Sequence, residues 1–123
     1  MAEKHTIKHC ISEANQAIRF RSMVATQEKF SEMLSLEPQV LHISCHGIGK
    51  KTQNLINLAE EDEKNYLLFE KHTGEGELVS QKELSRLVTS QMANLDLVFV
   101  AACKSEFVGR IFQKCGARHV ICV

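Results

Sequence analysis

The chain has no surplus of charge: fifteen lysines and arginines balance fifteen aspartates and glutamates. Without a basic field it has no general electrostatic hold on nucleic acid or on an anionic membrane surface. Its apolar runs are short, and none approaches the roughly twenty residues a helix needs to cross a bilayer. Met1-Ala2-Glu3-Lys4-His5 opens a polar segment and not an apolar export signal. That reading sets the chain in a reducing, cytoplasmic compartment, where its five cysteines are free thiols. Internal repeats, low-complexity tracts and linkers are also missing. At 123 residues, 44% of them hydrophobic, the sequence can build one core and reads as a single domain over 1–123.

What is present alternates between two periods. Ile7, Cys10, Ile11 and Ala14 recur at helical spacing and predict an amphipathic helix over about 4–15. Ile18 to Val24 alternates apolar and polar residues and predicts a strand. Thr26 caps a helix whose buried stripe is Phe30, Met33 and Leu34, and Pro38 ends it. A strand follows over 40–46. Gly47 to Asn65 reads as a long polar loop with one helical turn near Leu55–Leu58. Tyr66-Leu67-Leu68-Phe69-Glu70 and Glu77-Leu78-Val79 flank Thr73-Gly74-Glu75-Gly76 and predict a hairpin. Ser80-Gln81-Lys82-Glu83 is a capping box that opens a helix through Leu84, Leu87 and Val88. A strand over 96–103, a helix with the apolar face Phe107, Val108, Ile111 and Phe112 stopped by Gly116, and a last strand over 119–123 complete the order.

That order specifies an α/β fold with a mostly parallel sheet flanked by helices and interrupted by a hairpin insertion. The strands at 40–45 and 97–102 are apolar on both faces, as expected for central strands covered by helices. The chain ends inside its final strand. The expectation is therefore a truncated domain, incomplete at its C-terminus and completed by a longer polypeptide or by a partner.

Two apolar segments each end on a reactive side chain. Val40-Leu41-His42-Ile43-Ser44-Cys45 runs into His46-Gly47, and Leu97-Val98-Phe99-Val100-Ala101-Ala102 runs into Cys103. As parallel strands they deliver an imidazole and a thiol to one sheet edge, where α/β folds build their sites. A cysteine nucleophile needs those two groups at minimum. Cys103 precedes a helix beginning near Ser105, and Lys104 adds a neighbouring cation; both favour the thiolate. The amides of Gly47 and Cys103 are candidates to face a developing oxyanion. The bland reading makes Cys103 a small buried hydrophobe and His46 a loop residue.

These residues resemble a family. Ala25-Thr26, the following helix and Val40 to Gly47 look like the first half of the CHAT domain, the caspase-like peptidase domain often found beside tetratricopeptide repeats. Leu67-Leu68-Phe69, Glu77-Leu78-Val79, Leu97 through Ser105, and Gly116-Ala117-Arg118-His119-Val120-Ile121 resemble its second half in order. The resemblance implies a caspase/separase-type fold. It also implies a dyad with His46 as general base or acid, Cys103 as nucleophile and Gly47 in the oxyanion hole. The reaction it implies is cleavage of a protein or peptide substrate through a thioester acyl-enzyme, with no cofactor and no metal. A tetratricopeptide-repeat region elsewhere in a longer chain would recruit targets. The sequence departs from the family pattern at Lys104, where an acidic residue is common, which bears on substrate charge preference. Two rival readings remain: a catalytically inactive CHAT-like protein-interaction module, and a flavodoxin-like domain binding a small molecule.

Other signals carry less. Cys45 points to the face opposite His46 and reads as packing. His42 and Ser44 share the face of His46 and read as core hydrogen-bonding groups, with His42 able to orient the site. Cys115, His119 and Cys122 do not converge as zinc ligands, because Gly116 breaks the helix and strand alternation parts the other two. Gly47-Ile48-Gly49-Lys50-Lys51-Thr52 lacks phosphate-loop spacing. Lys50-Lys51 and Glu60-Glu61-Asp62-Glu63 read as solvated loop charges, and Asp96 lies far from the candidate edge.

Overall fold

The protein is described by a computed structural model covering residues 2–49, 65–88, 92 and 94–123. The expected turn at 55–58, Lys50-Lys51 and the acidic run at 60–63 lie outside these residues.

Helix α1 (Ala2–Glu13) buries none of its side chains. Helix α2 (Gln27–Ser35) begins at Thr26, whose hydroxyl accepts from the Lys29 amide, and it buries Phe30 and Leu34. Between them the alternating segment 18–24 forms no strand. Phe20 and Met23 are half-buried, whereas both Ile18 and Val24 are more than half exposed. Alternation alone does not make a strand when no ladder receives it.

The apolar segment at 40 does not end in a loop. It is cut at Cys45 into β1 (Val40–Ser44) and β2 (His46–Gly49), and the two strands join different sheets. The long loop expected from Gly47 therefore starts too early, since 47–49 are paired. Strand β2 runs antiparallel to β3 (Asn65–Glu70), which forms the expected hairpin with β4 (Gly76–Ser80). The Ser80–Glu83 capping box is formed in both directions and starts α3 (Gln81–Leu87). Strand β5 (Leu97–Ala101) lies between β1 and β6 (His119–Cys122), parallel to both. The connection from β5 to β6 is α4 (Glu106–Lys114), which terminates at Gly116 with φ +102. The result is α/β: among the described residues, a parallel sheet β1-β5-β6, an antiparallel sheet β2-β3-β4, and four helices.

The two sheets share one core. Leu67, Phe69 and Val79 from the antiparallel sheet are buried with Val98, Val100, Val108 and Phe112. Phe30 links them, with its ring 5.5 Å from Phe69 and 6.4 Å from Phe112 in tilted and edge-on geometry.

Among the described residues, the helices do not cover both faces of the parallel sheet. Leu41, Ile43, Val98 and Val100 turn into the core, whereas His42, Ser44 and Val40 stand exposed on the opposite face, and Val40 is 61% exposed. Ile121 and Val123 also remain open, and the His42 ring stacks on Phe99 at 5.0 Å. Helices α2, α3 and α4 pack on one another as a single layer, which leaves the second face to other groups. Helix α1 reaches that face through one carboxylate. Glu3 Oε1 lies 2.8 Å from His42 Nε2, and Oε2 accepts from Ser44 Oγ at 2.8 Å. His42 and Ser44 therefore hold a helix on the surface rather than bonding within the core. The hydrogen bond from Ser44, and then that from His42, keep the Glu3 carboxyl below its ordinary value of 4.5.

Two outcomes follow from this packing. Phe112→Ala removes a fully buried ring from the core that both sheets share and should cost about 3–5 kcal/mol in chemical denaturation. A lowered carboxyl pKa stabilises the contact above the ordinary value, and that contribution is lost as pH falls through the lowered one. Acidification from pH 7 to pH 3 should therefore reduce hydrogen-exchange protection in α1 before that of β5, and Glu3→Gln should reduce it already at pH 7. Equal α1 protection in the variant and the parent would contradict the latch.

Candidate functional site

In the parallel ladder Ser44 is level with Ala101, and the Cys45 amide donates to the Ala101 carbonyl at 3.2 Å, one residue past the end of β1. His46 and Cys103 follow directly from neighbouring strands at the same C-terminal edge. Both side chains are exposed.

Backbone packing fixes this edge. A Cβ added to Gly47 would collide with the Cys103 carbonyl oxygen and lie 2.8 Å from its carbon and 3.3 Å from the Cys103 nitrogen. Glycine is required there because the chain of β2 crosses directly against the Cys103 peptide. This contact, more than any side chain, brings the two strand ends together. No hydrogen bond joins His46 to Cys103 among the described residues.

Cys103 does not open α4. The N-cap is Ser105, where the helix was expected to begin, and the thiol stands two residues before it in a turn of three residues. Beyond the first turn the macrodipole is weak, so α4 lends the thiol little. Lys104, between them, adopts φ +54, which costs a non-glycine residue roughly 1–2 kcal/mol. Its chain lies along β2: a Cβ on Gly49 would collide with Lys104 Cδ and come within 2.6 Å of Nζ. Gly49 is the site residue the sequence reading missed. Its signal is the Gly-x-Gly spacing, which sets Gly47 and Gly49 on one face of a strand.

A shallow depression beside Cys103 is lined also by Cys45, Ala102, Lys104, Ser105 and Cys122. His46 does not line it. Burial pushes the Cys45 thiol up to about 11, so it packs as a neutral group against the core, as expected. Cys115 Sγ donates to the Val88 carbonyl and Cys122 Sγ to that of Ser105. No group of three metal-ligating side chains occurs among the described residues. Asp96, at the far end of β5, lies 3.5 Å from Arg118.

A family model, the CHAT domain, matches residues 2–122. The chain belongs to the CHAT domain family. It is thereby a peptidase-type domain of caspase-like class at the level of the family. No curated protein and no solved structure matches the chain. No helix among the described residues is long and apolar enough to cross a membrane.

Gly47→Ala should force the two strand ends apart, because the clash is with backbone and not with a flexible side chain. Overpacking of this kind costs about 1–3 kcal/mol. Denaturant titration measures it, and a variant as stable as the parent would show that the two chains do not cross in contact.

Proposed function

We propose that this CHAT domain is a cysteine endopeptidase. The observation that carries the reading is the exit of His46 and Cys103 from adjacent parallel strands at one edge, with Gly47 in backbone contact with the Cys103 peptide. In this reading His46 takes the proton of Cys103, and the thiolate attacks the carbonyl of a peptide bond. The tetrahedral oxyanion accepts hydrogen bonds from the amides of Gly47 and Cys103. Collapse of that intermediate breaks the C–N bond as the imidazolium gives its proton to the leaving amine. A thioester on Cys103 remains. Water, deprotonated by His46, attacks it, and the proton returns to the thiolate as the acid product leaves. No step uses a cofactor, and the partner is a protein or peptide. A tetratricopeptide-repeat region in a longer chain would bring the target to this edge.

The second reading is a catalytically inactive protein-interaction module. Its support is the missing hydrogen bond between His46 and Cys103, together with a depression beside the thiol that His46 does not line.

A peptidyl acyloxymethyl ketone, which alkylates a cysteine only when a catalytic site activates it, separates the two. The peptidase reading expects stoichiometric labelling of Cys103 by mass spectrometry. His46→Ala should slow that labelling about 100-fold, in the range general-base catalysis contributes. Cys103→Ala should abolish cleavage of an unfolded protein substrate. Labelling of Cys103 that ignores the His46 substitution would overturn the dyad.

A further inference from the structure

Resting on the peptidase reading, we infer that Lys104 selects substrates with an acidic side chain on the acyl side of the bond to be cleaved. The residue immediately follows Cys103 and lines the same depression. Its backbone is held in the left-handed region at φ +54, a conformation in which glycine or asparagine is the cheaper occupant. That conformation turns the side chain off the course of α4 and lays it along β2.

There the chain has been given room. Gly49 supplies no side chain where Lys104 Cδ, Cε and Nζ pass, and Nζ would sit 2.6 Å from any Cβ at that position. Gly47, two residues earlier on the same strand, faces the Cys103 peptide. One short strand thus carries the backbone that abuts the nucleophile and the berth of the adjacent ammonium.

Among the described residues the charge is also uncommitted. The nearest acid in sequence, Glu106, is taken by Arg110 at 2.6 Å within α4. No ion pair joins a described carboxylate to Lys104. An ammonium on the residue next to Cys103, lying over Gly49 and with no carboxylate partner among the described residues, gives a carboxylate on the substrate a partner and repels a basic one.

The experiment uses three acyloxymethyl ketones that differ only in the residue next to the ketone: aspartate, alanine or lysine. Labelling rates of Cys103 are compared in the full chain. The expected result is about tenfold faster labelling by the aspartyl than by the alanyl probe, with the lysyl probe slowest and the spread narrowing at high salt. Lys104→Met should bring the three rates together, and Lys104→Glu should invert their order. Gly49→Ala should also level them, because a flexible side chain and not backbone must give way there, so the fold is retained while the ammonium is displaced. Equal rates for the three probes in the parent, with labelling still dependent on His46, would overturn the role of Lys104 and leave the dyad standing. Labelling indifferent to His46 would overturn both.

Discussion

The organisation of this domain depends on one backbone contact, that of Gly47 against the Cys103 peptide. A parallel sheet cannot by itself bring the ends of two strands into contact, because its ladder holds neighbouring chains nearly 5 Å apart. Here β1 leaves the sheet at Cys45 and re-enters a second sheet as β2, and the crossing occurs directly over the turn that follows β5. Everything that positions His46, Cys103 and Lys104 is a consequence of that crossing. The absence of a side chain at 47 lets it happen, and the half-buried Cys45 packs the bend against the core.

The crossing would be soft if the two sheets were independent. They are not, because the rings of Phe30, Phe69 and Phe112 come from α2, β3 and α4 and meet between them. Fully buried aromatic side chains carry a large share of a small domain's burial energy. The same cluster that stabilises the domain therefore fixes the relative placement of the two sheets, and with it the distance across the candidate site. The opposite face of the parallel sheet contributes little to this. It is tied to α1 through Glu3, an exposed carboxylate whose pairing is worth far less than buried rings.

How much of this was legible in the sequence follows from the kind of interaction concerned. Local signals were read well. The Thr26 cap, the Ser80–Glu83 box, the hairpin around Gly74 and the stop at Gly116 each rest on chemistry within a few residues, and each stands where expected. The strands ending before His46 and Cys103 were legible because buried parallel strands are written as continuous apolar runs. Three features were misread because they depend on distant partners. Ile18–Val24 has the alternation of a strand but no ladder to join. Gly47–Gly49 has the composition of a loop yet pairs with β3. Val40, His42 and Ser44 lie on a face that no helix of the main layer covers. The family resemblance was legible for a related reason, since its anchors were the two apolar runs and the residues that end them.

Lys104 shows why a site is hard to read from residue types alone. In the sequence it is a cation after a cysteine, and its simplest role is to favour the thiolate. The three-residue turn moves Cys103 off the helix end and gives Lys104 a left-handed backbone, so its side chain is directed along β2 instead of along α4. A left-handed lysine carries a backbone cost, and here its chain lies over a glycine while its charge has no carboxylate partner among the described residues. Strain of that kind persists when the surrounding structure over-determines it. Here the turn between β5 and α4 and the crossing at Gly47 do so together. The constraint that brings Cys103 to β2 is therefore also the one that lays the Lys104 side chain along that strand, and the placement of a charge next to the candidate site is coupled to the site's assembly.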